Sequence, residues 1–491
     1  MADFEETLLE EQVVLDSVEQ YIKRREAKLE LLRKYSEDGK KLQKKIESDL
    51  MLFYHPLSAF HQFRRLTDGW EYVKTIMTDQ SDANVVITNI TEHRSQDGIQ
   101  FPKEEDIAGA AIALFRLQDT YQLSTHDIAE GRIPGTKFSP RLTAFQCYEL
   151  GLTAYEQKTP DYYHALLWLQ EAYDRVQTED EPTISEAEIL DYLSYSMYHQ
   201  TNLERAAFLA NKLKNLDPTY ENVVLTEGNL PPLRTTRNIR NRGGKEFLTY
   251  ESLCRGENNK KPTSDLFCYW KRNKPFLRLA PLKAEIVHRK PKILVFRDVI
   301  SPSESQLVKD LGTPKLARAM IANTKGELEP ADYRITKNAW LADGEHGTLA
   351  RISKRIDDMT DLTTKTAEAL QLANYGIGGH YEAHFDFAQK HEKDSFKRVG
   401  TGNRVATVLF YLSEPTAGGA TVFTSINLTL YPTENDAVVW YNLYKSGEGD
   451  QLLRHAACPV LSGVKWVANK WLHEHGQEFI RPCSLNEFEY E

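Results

Sequence analysis

Near the C-terminal end of this 491-residue chain stand His384-Phe385-Asp386, a further imidazole at His455 and, ten positions later, the cation Lys465. Residues two apart on an extended strand project to the same side, so His384 and Asp386 can grip one ion together. If a second strand supplies His455, the set becomes two histidines and one carboxylate on one face of a metal. That donor set suits Fe(II) and leaves neighbouring coordination positions open. A lysine beside it offers a compact cation to a carboxylate, where a charge-assisted hydrogen bond contributes roughly 1.5–3 kcal/mol. A regular strand would also put Lys465, Val467, Asn469, Trp471 and His473 on one face. Each residue has a plainer reading: an H-x-D pair on a surface strand, Lys465 as an edge charge, Trp471 as core, His473 and His475 as surface polar groups.

The elements that must hold these groups read as short strands. Leu372-Ala373-Asn374-Tyr375 breaks into Gly376-Ile377-Gly378-Gly379 just before the H-x-D pair. Arg404 to Leu412 is rich in β-branched and aromatic residues, as a buried strand is. Gly418-Gly419 turns into Ala420-Thr421-Val422-Phe423, and Ala437–Tyr441 and Val464–Trp471 follow. Short strands separated by Gly, Pro and Asn signals predict a double-sheet jelly roll, whose mouth can hold a metal and a small cofactor.

From about Pro291 onward these segments, with Ser446-Gly447-Glu448-Gly449-Asp450, Arg454-His455-Ala456-Ala457-Cys458-Pro459-Val460 and Lys470-Trp471-Leu472-His473-Glu474, resemble the catalytic domain of collagen prolyl 4-hydroxylase α subunits. The upstream regions match that family in order. The resemblance implies a multidomain α+β chain. Residues 1–138 would be a helical dimerisation region, 139–232 a tetratricopeptide-like peptide-binding domain, 233–290 a linker and 291–491 a double-stranded β-helix. It implies that His384, Asp386 and His455 bind Fe(II) and that Lys465 takes the C5 carboxylate of 2-oxoglutarate, with the Tyr375 and Thr421 hydroxyls close by. Arg404, Trp471 and His473 fall where the family positions or turns over the peptide. The implied reaction hydroxylates proline C4 in X-Pro-Gly of procollagen-like chains with O2 and 2-oxoglutarate, helped by ascorbate, and releases succinate and CO2. Where the family often has glutamine this chain has His380, which reads as a neighbour of the metal rather than a ligand.

The same resemblance implies protein disulfide isomerase as a β subunit and a home in the endoplasmic reticulum lumen, with a leader removed. Met1-Ala2-Asp3-Phe4 has no signal-peptide character, and taken as a true start it would imply the cytosol. The family's pairing would join Cys458 to Cys483 and Cys254 to Cys268, leaving Cys147 free; five reduced thiols are the alternative. A formal charge of −10 speaks against general nucleic-acid binding, and no apolar run approaches a membrane span. Sequons stand at Asn89-Ile90-Thr91 and Asn427-Leu428-Thr429.

Upstream, Leu8, Leu15, Ile22 and Leu29 recur every seven residues among Glu, Lys and Arg. This is a seam suited to α–α pairing, although Glu11 and Arg25 spoil the offset position; packing on its own domain is the alternative. Ala165, Leu169 and Ala172, and then Ala206, Ala210, Leu213 and Pro218, fit two helical hairpins set 41 positions apart. Tyr192, Tyr195 and Tyr198 form a stripe on one helix, either a wall for a polyproline II peptide or packing between hairpins. Pro231-Pro232 departs from the family's further tyrosine-rich helix and predicts weaker or altered peptide binding. Residues 234–261 turn basic and polar, as a linker or as a strip for an acidic partner. Three rival functions stay open: a peptide oxygenase acting on another residue, a helical-repeat scaffold with an idle barrel, and a zinc-binding cupin.

Overall fold

The computed structural model describes residues 4–48, 65–93, 104–136, 141–218, 244–257, 265–322, 328–330, 334–392, 396 and 400–490. They fall into two compact units, one within residues 1–103 and one within 104–491. In the first, Phe4–Ser48 is one helix of 45 residues, about 68 Å long at the α-helical rise. Beside it lie Trp70–Thr78 and Ser81–His93. Lys28 ties the long helix to Asp79 at 2.7 Å and to Asp82. Leu15, Ile22 and Leu29 remain about half exposed, so this unit leaves its heptad seam uncovered. Among the described residues no helix is long and apolar enough to cross a membrane.

The second unit begins with Glu104–Tyr121 and Thr125–Ala129, followed by Ala144–Tyr155, Tyr162–Val176, Glu186–His199 and Leu203–Leu216. Thr143 and Gln146 form a capping box, and Asp161 and Ser185 cap the next two helices. Ala165, Leu169, Ala172, Ala206 and Leu213 are buried between the hairpins together with Phe115 and Trp168. Pro231-Pro232 lies outside the described residues.

Two sheets then face each other. The larger runs in spatial order Cys268–Lys271, Leu282–Arg289, Lys292–Arg297, Ala437–Tyr441, Arg404–Tyr411, Lys465–His473, Leu370–Tyr375, Lys337–Leu341, Ala317–Arg318. The smaller runs Leu428–Leu430, Thr421–Phe423, His455–Ala457, His380–His384, Arg334–Ile335. Strand alternation sorts the apolar residues. Leu294, Phe296, Ala406, Val408, Phe410, Ala437 and Val439 pack outward under helices Pro302–Gly312 and Gly347–Thr360. Their neighbours Ile293, Val295, Leu409, Tyr411, Val438 and Trp440 pack inward against the small sheet. Both faces are covered, which is why these strands read as continuous apolar runs.

Two expectations are corrected. Residues 233–290 do not act as a mere linker: Gly244–Cys254 is a helix, and Cys268–Lys271 and Leu282–Arg289 are strands of the large sheet. Their charged residues hid a pattern in which only alternate positions are buried. The cysteine pairing also differs. Cys254 is bonded to Cys458, while Cys268 and Cys483 are free and exposed and Cys147 is free and buried. The reason is packing. The Gly244–Cys254 helix lies on the small sheet, with Tyr250, Leu253 and Cys254 against Ala420, Val422, Ala456 and Cys458. Thr429 Oγ1 donates to Leu253 O at 3.1 Å and Tyr250 Oη to Ala457 O at 3.3 Å.

Non-reducing peptide mapping is therefore expected to recover a Cys254–Cys458 cross-link, with Cys268 and Cys483 alkylated without reduction. The loop closed spans 204 residues, so Cys254→Ser is expected to cost up to about 5 kcal/mol on the loop-entropy model, measured by denaturant unfolding. A Cys458–Cys483 peptide would contradict this arrangement.

Candidate metal and co-substrate site

His384 ends its strand directly opposite His455, the first residue of its own antiparallel strand. Asp386 follows two residues later. The ligand atoms of the three lie within 4.8 Å of one another, the one such group among the described residues. His384 Nε2 is 3.8 Å from Asp386 Oδ1, and His455 Nε2 is 3.6 Å from Oδ2. Each imidazole turns Nδ1 to a backbone carbonyl, Glu382 O at 2.8 Å and Leu453 O at 3.0 Å. A carbonyl only accepts, so each Nδ1 carries the proton and each Nε2 presents its lone pair to the centre.

Burial, and next the neighbouring His455, push the His384 pKa down to about 3, so its ring is neutral and fit to ligate. At Asp386 burial opposes charge. His455, His384 and Arg404, with the Thr407 hydroxyl, outweigh it and hold the carboxyl below its ordinary range. Thr407 Oγ1 donates to Asp386 Oδ2 at 2.7 Å and accepts from Asn442 Nδ2 at 2.9 Å, so the carboxylate is oriented by a hydroxyl that is itself held. Tyr381 stacks on the His384 ring at 3.6 Å, and Trp440 meets His455 edge-on at 4.9 Å. Two imidazoles and one carboxylate fit Fe(II) with three positions to spare.

Deeper in the same cavity lies Lys465, 1 % exposed and paired in register with Tyr375. Its Nζ reaches Thr421 Oγ1 at 3.5 Å and sits over the rings of Tyr375 and Tyr411 at 5.6 and 5.7 Å. Tyr411 Oη donates to Thr421 Oγ1 at 2.9 Å. Among the described residues no carboxylate pairs with Lys465, and burial alone brings its pKa down to about 7. A buried amine beside a threonine hydroxyl and two aromatic faces, with no acid among the described residues, suits an anion.

The strand-face expectation holds as far as Trp471: Lys465, Val467, Asn469 and Trp471 line the cavity with the metal-ligand group, Arg334, Tyr381 and Trp440. His473 does not. It is fully buried behind the wall, with Nδ1 at 2.8 Å from Gly402 O and Nε2 at 3.0 Å from Glu368 Oε1. Glu368 also binds Arg404 through Nε at 2.6 Å and Nη2 at 3.0 Å, and the guanidinium lies 3.9 Å over the Trp471 ring. Burial raises the Glu368 pKa, but His473 and Arg404 bring it below its usual value. Arg404 Nη1 further donates to Asp386 O at 3.3 Å. His380 is buried and stays outside the ligand group.

Sequence reasoning missed Thr407, Asn442, Glu368, Tyr411, Arg334 and Tyr381. Thr407 had a signal, being a lone polar residue at an inward position of an apolar strand. The others become visible only through packing. In the helical module, Tyr192 and Tyr195 join Tyr155, at 5.1 and 5.9 Å, and Tyr162 stacks on His199 at 4.1 Å. The rings come from three helices. Tyr198 stands at the margin, exposed and touching His199 edge-on.

Comparison with known proteins matches residues 1–135 to the prolyl 4-hydroxylase alpha-subunit N-terminal region. Residues 144–230 match the prolyl 4-hydroxylase peptide-substrate-binding domain, and residues 370–473 match the 2OG-Fe(II) oxygenase superfamily. Prolyl 4-hydroxylase subunit alpha-2 of Caenorhabditis elegans is 46% identical over 505 residues, covering 99% of this chain and 93% of that protein. Subunit alpha-1 of Homo sapiens is 44% identical over 512 residues, covering 98% and 94%.

Thr407→Val keeps shape and removes the hydrogen bond that orients Asp386. It is expected to weaken divalent-metal binding about 10- to 100-fold, read by chelator competition, with an unchanged circular dichroism spectrum.

Proposed function

This chain belongs to the family of prolyl 4-hydroxylase α subunits, and from that premise we propose that it hydroxylates C4 of proline in X-Pro-Gly segments of procollagen-like chains, consuming O2 and 2-oxoglutarate and releasing succinate and CO2. One observation carries this reading: a two-histidine, one-carboxylate group shares a cavity with a buried lysine that has no acid.

His384, Asp386 and His455 would hold Fe(II) through Nε2, a carboxylate oxygen and Nε2. When bound, Fe(II) supplies dioxygen activation coupled to decarboxylation of the keto acid. Lys465 receives the distal carboxylate of 2-oxoglutarate, with Thr421 and Tyr375 offering hydroxyls. This anchors the molecule at one end, so that its other end is presented to the metal side of the cavity. Trp440, Tyr381 and Trp471 keep water from the reacting carbon, which guards against uncoupled oxidation. Arg404 holds Trp471 by stacking, and Glu368 with His473 holds Arg404. This assigns His473 a positioning part rather than contact with the reactants.

The tyrosine cluster suits a polyproline II peptide, whose ordering cost is low and whose prolines lie flat on aromatic faces. The uncovered seam of Phe4–Ser48 supports α–α dimerisation. Family membership supports protein disulfide isomerase as β subunit, ascorbate as the reductant that keeps the metal ferrous, and the endoplasmic reticulum lumen as the site of action.

A Pro-Pro-Gly repeat peptide with iron, ascorbate and 2-oxoglutarate is expected to yield 4-hydroxyproline and succinate, and His384→Ala to abolish both. No succinate from the wild-type chain with its β partner would sink the proposal. Lys465→Ala is expected to raise KM for 2-oxoglutarate by about 10- to 150-fold, the size of one charge-assisted hydrogen bond, and to leave KM for the peptide unchanged. Because only the protonated amine attracts a carboxylate, KM for 2-oxoglutarate should climb as pH rises past about 7; in Lys465→Ala that slope should vanish. Tyr195→Ala is expected to raise KM for long proline-rich peptides and spare short ones, as steady-state kinetics on peptides of both lengths would read.

A further inference from the structure

One helix, Glu104–Tyr121, precedes the helical module and packs on it, yet bonds to the loops beside both metal strands. Arg116 Nη1 donates to Gly378 O at 3.2 Å. Gly378 lies in the turn that leads from the Tyr375 strand into the strand of His384. Five residues along the helix, the Tyr121 hydroxyl donates to Pro459 O, just after the strand that begins at His455. The two loops are themselves laced together: Gly378 N donates to Val460 O at 2.8 Å and Val460 N to Gly379 O at 3.1 Å.

The fit is close enough to forbid side chains. A Cβ at Gly378, where φ is +71°, would lie 2.6 Å from Ala113 Cβ. One at Gly418, φ +75°, would lie 2.6 Å from the Tyr121 oxygen. On its opposite side the helix is bolted into the module that carries the tyrosine cluster. Phe115 stacks on His164 at 4.9 Å, Asp119 Oδ1 is 3.2 Å from His164 Nε2, and Gln118 accepts from Trp168 Nε1 at 3.1 Å. A helix fixed on one side and hydrogen-bonded to two loops on the other cannot shift without moving both.

We infer that Tyr121 and Arg116 are positioning residues of the metal centre: by gripping the Pro459 and Gly378 carbonyls, they set the separation of the strands that bring His384 and His455 to one ion. The inference rests on the iron-site reading above. It assigns to a helix outside the oxygenase domain a share in the geometry of the oxygenase site.

The test uses the full chain with its β partner. Tyr121→Phe and Arg116→Met, singly and together, are expected to weaken Mn(II) binding in chelator competition, each by up to about fivefold, the size of one hydrogen bond. The ratio of succinate to hydroxyproline should rise above that of wild type, while Arg116→Lys restores both readings. Gly378→Ala should produce the same phenotype, and Ala113→Gly in that background should relieve it, which separates the helix clash from backbone strain at a positive φ. Wild-type Mn(II) affinity and wild-type ratio in the folded double variant would overturn the inference, as would a Gly378→Ala defect that Ala113→Gly does not relieve. Absence of succinate in the wild-type chain would refute the iron-oxygenase reading instead, and the Mn(II) titration would still decide this one.

Discussion

A single pairing register underlies the site. His384 faces His455 across an antiparallel pair, and because side chains alternate with a period of two, a slip of one residue in either strand would turn one imidazole away from the ion. The pair is secured from every side. Thr421–Phe423 continues the ladder past His455, the Gly244–Cys254 helix presses on the same strands, and the Cys254–Cys458 bond closes beside them. Much of the small sheet's packing can be understood as protection of that register.

Electrostatics inside the barrel follows from burial. Removing water discharges His384 and weakens the charge on Lys465. What would be costly in an ordinary core suits recognition here: imidazole lone pairs favour a cation and a buried amine favours an anion. Where no ligand is meant to bind, charges are matched locally, as in the Glu368–Arg404–His473 group behind the wall. Paired charges brace the cavity.

The chain's chemistry was legible before its packing. The H-x-D pair and the inward face of Lys465–Trp471 follow from spacing, since strand parity is a local rule. The helical hairpins followed from apolar spacing, as the burial of Ala165, Leu169, Ala172, Ala206 and Leu213 bears out. What failed was of another kind. The cysteine partners depend on a helix folding back across 204 residues. The strands before residue 291 depend on a sheet that covers only alternate positions. His473 shares strand parity with Lys465 but sits where the register shifts between Arg404 and Ala406, and so ends behind the wall instead of in it.

Residue order alone thus determined which donors exist, which of them share a strand face and what chemistry such donors favour, because these depend on neighbours a few bonds away. The tertiary structure alone decided that His455 meets His384, that Glu368 and Thr407 steady the groups around them, and that a helix packed against the peptide module reaches the loops beside both metal strands. Those facts rest on contacts between residues tens to hundreds apart, where close packing of whole elements, and no local rule, selects the partner.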